Sequence, residues 1–310
     1  MNESQNGSID IYITTFTTNM MHMNKTILMS DAKHFSTKQP INPYYHNETL
    51  NHTKAMQEHA EIHRLLDEAG ITVIKVPSPT NCQDGVYTAN WALVRGDKAV
   101  LASLPNARKN EEAYAESVLK YLGKEVFRVP AGLKFSGQGD ALPCGDYLFC
   151  GSGYRSDRKA QKFVADTLGF QRIQLEAMPQ LDPKGRPIIN EASGWADSFF
   201  YAIDIAIAII KPPIGHKKGL IAYCPEAFTP ASRNLLENFN EVDKIKVSLQ
   251  EARDAFATNL VSTGETVIMS ARAPILAAEL EKHGLKILSP DITELAKGGG
   301  YIRCVTLTLD

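Results

Sequence analysis

A glycine-rich turn near the C-terminal end of the sequence precedes one cysteine: residues 298–304 read GGGYIRC and end on Cys304. Consecutive glycines permit positive φ angles and let a backbone approach a ligand closely. Residues 305–308 (VTLT) are typical of a strand. We therefore expect the turn to hold the Cys304 thiol at the start of a buried strand, where it can attack a bound substrate. The alternative is a structural turn in which Cys304 is a small buried hydrophobe.

Five further segments combine polar or glycine residues with neighbouring strand-like sequence, and each alone is typical of a cap or a turn. They are residues 41–44 (INPY), 83–92 (QDGVYTANWA), 135–142 (FSGQGDAL), 151–157 (GSGYRSD) and 200–204 (FYAID). Asp204 is the hardest of their residues to explain structurally, because it lies in an apolar run and a buried carboxylate needs a partner or a function.

The composition is that of an ordinary soluble globular protein: 310 residues, 44% hydrophobic and 22% charged. A formal net charge of −2 gives no electrostatic footprint for a nucleic acid. No apolar run is long enough to cross a membrane, and no signal peptide is evident. The five cysteines lack metal-ligand spacing and the density of a disulfide framework. We therefore expect a cytoplasmic protein without metal or cofactor.

Predicted strands and helices alternate along the chain, which indicates an α/β fold. We expect one domain over residues 24–310, preceded by a loose extension over residues 1–23, and no exact repeat is visible. The apolar spacing of residues 48–69 predicts an amphipathic helix that ends at Gly70. The other predicted helices are 111–121, 157–168, 231–239 and 273–282, and the predicted strands are 26–30, 72–76, 99–101, 125–128, 147–150, 203–210, 220–223, 267–269 and 285–288.

Together, and in this order, the six segments resemble the guanidino-group-modifying superfamily of arginine deiminases, dimethylarginine dimethylaminohydrolases, arginine dihydrolases and amidinotransferases. The resemblance covers residues 26–309 and is closest to the bacterial arginine dihydrolase and dimethylaminohydrolase-like branch. It implies a pentein fold, which is a five-bladed α/β-propeller of ββαβ units around a narrow central channel. It also implies that a cysteine attacks a guanidinium carbon, expels an amine and leaves a covalent thiouronium, which water or an acceptor amine resolves.

Carried onto this chain, the resemblance makes Cys304 the nucleophile and Asp204 a carboxylate that holds the guanidinium. Asn90 stands where other family members place an aspartate, and an amide orients the cation without neutralising it. The remaining implied substrate contacts are Arg108 and Arg155 at the α-carboxylate, Asn42 near the α-amino acid end, and the motif carboxylates Asp84 and Asp140.

Three of these residues have ordinary structural alternatives. Arg155 could instead form a helix-capping pair with Asp157. Arg108 could instead be a solvated surface charge. Asn42 before Pro43 is a favourable turn residue by itself.

Two departures from the family pattern bear on catalysis. Ala202 stands where the family has a general acid/base histidine, and Ser136 stands where the branch has a glutamate. Three explanations are open: Ala202 is an engineered substitution, another residue supplies the acid/base group, or the protein binds a guanidino amino acid without turnover. The candidates for a replacement acid/base are His216, His46 and Asp197, and the sequence places none of them near Cys304.

The sequence thus predicts a hydrolase that acts through Cys304 on the guanidinium carbon of arginine or a close analogue. An amidinotransferase and a non-catalytic guanidino amino acid binding protein are the alternatives. We expect a small guanidino compound as the partner, with no nucleic acid and no membrane. Homo-oligomerisation is left open.

Overall fold

The computed structural model describes residues 12–14, 23–39, 42, 45, 49–104, 106–191 and 196–310. Within these residues the backbone forms sixteen strands and six α-helices. The strands are β1 (Tyr12–Thr14), β2 (Thr26–Ser30), β3 (Thr72–Val76), β4 (Ala92–Arg95), β5 (Lys98–Leu101), β6 (Glu125–Arg128), β7 (Ala141–Cys144), β8 (Tyr147–Ser152), β9 (Gln171–Glu176), β10 (Ile207–Lys211), β11 (Gly219–Tyr223), β12 (Val242–Lys246), β13 (Val261–Ser262), β14 (Thr266–Ile268), β15 (Lys286–Leu288) and β16 (Leu307–Thr308).

Five of the six described helices connect parallel strands, and α5 connects one sheet to the next. They are α1 (His52–Glu68), α2 (Glu111–Tyr121), α3 (Arg158–Leu168), α4 (Pro230–Asn238), α5 (Leu249–Asp254) and α6 (Pro274–Lys282). Helix α1 shows why these segments are helical. The Asn51 side chain caps its N-terminus by accepting from the Lys54 amide, and apolar residues recur at Ala55, Ile62 and Leu66 on its buried face. Gly70 follows the helix with a φ of 80°.

The sheets repeat one pairing pattern. In four of them a short antiparallel hairpin is followed by a helix and a parallel strand: β4-β5-β6, β7-β8-β9, β10-β11-β12 and β13-β14-β15. The remaining sheet has the order β1-β3-β2-β16. In it β2 and β3 are parallel, and the antiparallel neighbour of β2 is β16, from the other end of the chain. Parallel neighbours need a crossover, which α1, α2, α3, α4 and α6 supply.

The predicted α/β architecture is confirmed, with differences at particular segments. Residues 12–14, which we expected to belong to a loose extension, form β1 and pair with β3. The expected strand over residues 203–210 is divided: residues 203–205 form a 3₁₀ turn, and β10 begins at Ile207. The expected strand over residues 305–308 is shortened to β16, because the Thr306 hydroxyl donates to the Arg303 carbonyl and closes a turn before it.

Buried apolar residues of the described chain form three clusters between sheets and helices. The largest contains Ile203 and the apolar residues of β10 and β11, so the core directly supports the segment that carries Asp204. None of the described helices has the length and apolar character needed to cross a bilayer.

Candidate active site

Cys304 lies in the turn before β16, not at the start of the strand as the sequence predicted. It is buried, with 6% of its surface exposed. Its carbonyl accepts a hydrogen bond from the Ala89 amide at 3.1 Å, next to Asn90. The turn therefore brings the C-terminal thiol into contact with a segment that lies more than 200 residues earlier in the sequence.

Two side chains contact the Cys304 sulfur. Sγ lies 3.3 Å from Oδ2 of Asp204, and the Asn259 amide donates from Nδ2 to Sγ at 3.2 Å. Burial raises the pKa of the Cys304 thiol well above its ordinary range, and the Asp204 carboxylate raises it further. Burial also raises the pKa of Asp204 to about 6, although the contact with Cys304 opposes that shift. The pair therefore favours a protonated thiol when no cation is bound.

The three glycines of residues 298–300 are required by close packing. A Cβ on Gly298 would lie 2.1 Å from the Tyr87 hydroxyl, and one on Gly300 would lie 2.3 Å from Cε1 of Tyr87. Gly299 has a φ of 79°, and a Cβ there would lie 2.6 Å from Oδ1 of Asn42. Asn42 in turn donates from Nδ2 to the Gly298 carbonyl at 3.1 Å. The run thus packs against Tyr87 and Asn42 beside the thiol.

A narrow cavity lies next to Cys304. It contains most of the residues that the sequence predicted for the site. Its described lining consists of Asn42, Asp84, Tyr87, Asn90, Arg108, Arg155, Tyr201, Ala202, Gly298, Gly300 and Cys304. Asp204 contacts Cys304 without belonging to this lining, and no histidine is present among these lining residues.

Arg108 is held by protein groups. Its Nε and Nη2 each lie 2.9 Å from a carboxylate oxygen of Glu111, which is fully buried. Nη1 donates to Oδ1 of Asn90 at 2.6 Å, and Nη2 also reaches the backbone carbonyls of Asp84 and Tyr87. The alternative of a solvated surface charge is wrong for Arg108. Most of its donors fix the cavity wall, and Asn90 is oriented through it.

Asn90 bridges two segments of the wall. Its Nδ2 donates to the carbonyl and to the hydroxyl of Ser136, both at 3.0 Å. Ser136, which stands where the resembling branch has a glutamate, therefore serves as a hydrogen-bond partner of Asn90. A Cβ on Gly139 would lie 2.5 Å from Nδ2 of Asn90, which explains a glycine at that position.

Arg155 and Asp84 lie on the cavity wall. The Arg155 guanidinium stacks 4.1 Å from the centroid of the Tyr201 ring. Asp84 is buried and accepts a hydrogen bond from the Tyr45 hydroxyl. Burial raises the pKa of Asp84, against the opposing charge of Arg108.

Asp140 is close to this site without lining the same cavity. Its Oδ2 accepts from the Ser156 hydroxyl at 2.6 Å, and its Oδ1 accepts from the Ile203 amide at 3.2 Å. Burial raises the pKa of Asp140 to about 7, and the negative charge of Asp204 adds to that shift. Asp140 thus fixes the segment that carries Asp204.

None of the candidate acid/base replacements lies in the Cys304 cavity among the described residues. His216 is exposed on the turn between β10 and β11. Asp197 is half-buried and absent from the cavity lining. His46 lies outside the described residues, as do Pro43 and Tyr44 of the 41–44 segment. Ala202 lines the cavity.

Asn259 and Glu111 belong to the site but were not predicted from the sequence. Glu111 is recognisable only as the partner that a buried arginine three residues away requires. Asn259 had a positional signal. Asn90, Asp140, Asp204 and Cys304 each stand one to three residues before the first strand of a repeat (β4, β7, β10 and β16), and Asn259 stands in the same place before β13.

The described residues contain no group of three or more histidine, cysteine, aspartate or glutamate side chains placed to hold a metal ion. All five cysteines are free thiols. The polar side chains around Cys304 are cations, carboxylates, amides and two tyrosines, and the charged ones suit a small polar ligand with both charges.

An α/β fold with a buried thiol against a carboxylate at a polar cavity defines a class of protein in which a cysteine is the candidate nucleophile. The comparisons with known proteins identify the family within that class. The family model described as "N,N dimethylarginine dimethylhydrolase, eukaryotic" matches residues 29–309, and the chain belongs to this family.

Curated relatives share about a quarter to three tenths of their residues with the chain. The bifunctional arginine dihydrolase/ornithine cyclodeaminase AgrE of Nostoc sp. is 29% identical over 287 residues, which cover 90% of this chain and 37% of that protein. The N(G),N(G)-dimethylarginine dimethylaminohydrolase of Mycobacterium tuberculosis is 28% identical over 91% of this chain and 84% of that protein. The chain therefore spans 37% of the length of the bifunctional relatives it matches.

Solved structures show the same fold. The N-terminal domain of ArgZ, carrying an asparagine-to-serine substitution and covalently bound to a reaction intermediate, has a TM-score of 0.79 and 26% identity, covering 92% of this chain and 97% of that one. The product-bound N-terminal domain of ArgZ, an arginine dihydrolase from cyanobacteria, also has a TM-score of 0.79, with 27% identity over 92% of this chain and 97% of that one.

Proposed function

We propose that this chain hydrolyses a guanidinium C–N bond of arginine or a close analogue through a covalent thiouronium on Cys304. The observation that carries the proposal is the contact of the Cys304 sulfur with Asp204 at the floor of a cavity lined by amides, carboxylates and arginines. Family membership and the arginine dihydrolase and dimethylarginine dimethylaminohydrolase relatives support it.

In this proposal the substrate itself activates the nucleophile. Burial keeps the thiol protonated in the free protein, since its pKa is raised. A guanidinium cation that enters the cavity lies beside Sγ and favours the thiolate, because a nearby opposite charge lowers a thiol pKa. Asp204, 3.3 Å from Sγ, accepts the thiol proton.

The reaction then balances in two steps. The sulfur forms a bond to the guanidinium carbon, one C–N bond breaks, and the thiol proton leaves on the departing amine. A water molecule next attacks the thiouronium carbon, the S–C bond breaks, and a ureido product and a proton are released while the thiol is regenerated.

The cavity residues supply orientation. Asn90 is held by Arg108 and Ser136, and its Oδ1 can accept from the guanidinium edge without adding charge. We propose that Arg155 and Asn42 bind the α-carboxylate and the α-amino acid end, and that Asp84 contributes negative charge. Arg108 acts mainly by fixing Asn90, because Glu111 already engages its Nε and Nη2.

We also propose that the five repeats close into a five-bladed propeller within a single domain over residues 24–310. Supporting contacts run in sequence between the repeats. Cys304 meets Ala89, Asn90 meets Ser136, Asp140 meets Ile203, Asp204 meets Asn259, and Asn259 returns to Cys304. Such a succession of contacts is what a site at a common centre requires.

Ala202 at the cavity wall predicts slow resolution of the intermediate. General acid–base catalysis is worth roughly 10²–10⁴-fold, and a methyl group supplies none of it. Asp204, whose pKa of about 6 leaves it partly protonated near neutral pH, is the group closest to the sulfur that can move a proton. Ala202 also favours a second candidate function, a protein that binds a guanidino amino acid with little turnover.

Intact mass spectrometry tests the proposal. The chain is incubated with L-arginine or with dimethylarginine, and the released amine and the protein mass are followed. We expect a mass increase equal to the substrate less the departed amine, which for L-arginine is arginine less ammonia, abolished in Cys304→Ser and retained in Cys224→Ser, whose buried thiol lies outside the cavity.

Other outcomes separate the alternatives. Arginine binding without any adduct or released amine in the unaltered chain would favour the binding protein. Transfer of the amidino group to an added amine in preference to water would favour an amidinotransferase.

A further inference from the structure

A second, larger cavity of about 330 Å³ approaches Asp204 and takes none of its described lining from the Cys304 cavity. Its wall is formed by residues 23–25, by strands β4, β7, β10 and β16, and by the segment before β13. Nothing in the proposed hydrolysis uses this space. It is nevertheless close to the thiol, because Asp204 lies in its wall and contacts the Cys304 sulfur through Oδ2 at 3.3 Å.

Arg303 provides an unneutralised positive charge in this wall. The side chain is buried, and its Nη atoms donate to the Thr308 hydroxyl at 3.1 and 3.2 Å and to Oδ1 of Asn24 at 3.3 Å. Within the described residues it forms no ion pair. Burial lowers the pKa of Arg303 to about 10, against the opposing charge of Asp204, so it remains a cation at neutral pH.

Two buried oxygens in the same wall lack a hydrogen-bond partner among the described residues. They are Oδ1 of Asp204 and Oγ1 of Thr258, and both residues are about 1% exposed. Leaving such a group unpaired costs roughly 1–3 kcal/mol. Asp204 and Arg303 shift each other's pKa through their opposite charges, but they form no ion pair among the described residues. The wall of the cavity therefore carries one negative and one positive group that are not in contact.

Two of the other charged side chains of the cavity, Arg95 and Asp310, are already engaged, and Lys25 is exposed at its edge. Arg95 pairs with Asp146 at 2.8 Å and stacks on Phe170, and the Asp310 carboxylate accepts the amides of Lys25 and Thr26. Most of the remaining wall is apolar. Its side chains include Val94, Leu142, Phe170, Ile207, Ile209 and Leu260.

We propose that this cavity is a second binding site, for a free α-amino acid with an apolar side chain. The carboxylate of the ligand pairs with Arg303, its ammonium group pairs with Oδ1 of Asp204 and the Thr258 hydroxyl, and its side chain lies against Leu142, Phe170 and Leu260. A zwitterion is the one small ligand class that satisfies both charges, whereas a simple anion would be repelled by Asp204 and a simple cation by Arg303.

The site is distinct from the proposed guanidino cavity and does not depend on hydrolysis. Because its occupant contacts Asp204, binding also acts on the Cys304 thiol: an ammonium group at Oδ1 stabilises the ionised carboxylate and changes the reactivity of the sulfur. The site is therefore regulatory. Ligand binding to it can be measured even if the protein has no catalytic activity.

Calorimetric titration of the full chain with three ligands of one shape tests the proposal. L-Leucine carries both charges, 4-methylpentanoate lacks the ammonium group, and 3-methylbutylamine lacks the carboxylate. We expect saturable binding of L-leucine, and binding of each analogue weaker by about tenfold or more, which corresponds to about 1.4 kcal/mol.

Two arginine variants locate the ligand. Arg303→Gln is expected to weaken L-leucine binding about tenfold, whereas Arg95→Gln, in the same cavity but already paired, is expected to change it less than about twofold. Arg155→Gln, in the other cavity, should leave L-leucine binding unchanged.

Equal binding of all three ligands, or no saturable heat with L-leucine, would overturn the proposal. Unchanged L-leucine binding in a folded Arg303→Gln variant would also overturn it. If circular dichroism shows that Arg303→Gln does not fold, the ligand series on the unaltered chain still decides the question.

Discussion

Asn259 holds Cys304 at two points. Its Oδ1 accepts from the Cys304 backbone amide at 3.2 Å, and its Nδ2 donates to the Cys304 sulfur at 3.2 Å. The same Oδ1 also accepts from the Tyr301 amide, and Nδ2 reaches the Asp204 carbonyl at 3.3 Å. One fully buried amide therefore fixes the backbone of the turn, the direction of the sulfur and the segment of its acidic neighbour.

Replacing this amide by a carboxylate should suppress thiol reactivity while preserving shape. In Asn259→Asp, a donor to Sγ becomes a second negative charge, which raises the cost of forming the thiolate. We expect the rate of alkylation by 2-chloroacetamidine at neutral pH to fall about tenfold for each unit by which the thiol pKa rises. Asn234→Asp, on the exposed surface of α4, is the control, and an equal loss in both variants would contradict the role assigned to Asn259.

A histidine introduced at position 202 should accelerate release of the covalent intermediate. Ala202 lines the cavity beside Cys304, so an imidazole placed there can protonate the leaving amine and activate water. We expect Ala202→His to clear the adduct faster, by as much as about 10²-fold, in intact-mass time courses. Ala202→Gln is the size-matched control, and equal acceleration in both variants would show that cavity shape and not proton transfer is responsible.

The buried Asp204 carboxylate should destabilise the fold as pH rises. Its folded pKa of about 6 exceeds the ordinary value of 3.8, so the folded state binds the proton more tightly and stability falls between about pH 4 and pH 6. Above about pH 6 the full free-energy cost of burying the ionised Asp204 carboxylate is present. A pKa shift of about two units corresponds to about 2–3 kcal/mol.

Asp204→Asn should therefore raise the free energy of unfolding at pH 8, by up to about 2–3 kcal/mol, and change it little at pH 4. Urea denaturation at the two pH values measures the difference. Asp243→Asn, with a mostly exposed side chain, should be neutral at both. A gain of the same size at pH 4 would mean that ionisation is not the cause.

Gly300→Ala should disrupt the site through packing. The new Cβ would meet Cε1 of Tyr87 at 2.3 Å and Cβ of Cys304 at 3.0 Å, and neither neighbour has free space. We expect a loss of roughly 1–3 kcal/mol together with slower alkylation of Cys304. Gly70→Ala provides the comparison, because its φ of 80° is strained for alanine but no atom lies within 4 Å, so it should lose only about 1 kcal/mol and leave alkylation intact.

The buried pair of Arg108 and Glu111 gives a prediction about stability. Glu111→Ala leaves the Arg108 guanidinium without its carboxylate and frees the Trp91 indole, which donates to Glu111 at 3.0 Å. Removing one partner of a buried ion pair typically costs about 3–5 kcal/mol. Thermal or urea unfolding measures this loss of stability, and Glu125→Ala, at an exposed position, is the control. A loss of stability in Glu111→Ala below that of the control would refute a structural role for the pair.

Much of the candidate site was accessible from sequence because its residues break local patterns. A carboxylate within an apolar run predicted Asp204, and three consecutive glycines before a cysteine predicted the turn of Cys304. Both features are unusual in a segment whose only role is structural. Helix α2 and strands β2, β3 and β6 coincide with the predicted ranges, since apolar period and turn residues agree there.

The missed features depend on distant partners. Asn259 lies in a segment without glycine or charged residues, so no local pattern identifies it as a site residue. Only its position before β13, which is equivalent to that of Asn90, Asp140 and Asp204 before their strands, identifies it. Strands β13 and β16 contain two residues each, which is too short for a period to be read. The division of residues 203–210 arises because Asp204 turns toward Cys304, which the sequence of that run alone does not show.

The pairing of β16 with β2 has a consequence for the order of folding. This contact joins segments at opposite ends of the chain, and the Thr308 hydroxyl bonds Asn24, 284 positions away. Contacts of such sequence separation carry a large loop-closure cost and form slowly. Until that last strand docks, Cys304 is an exposed cysteine with ordinary acidity, open to oxidants and foreign electrophiles. The completed fold is what shields the thiol and reserves it for a ligand that fits the cavity.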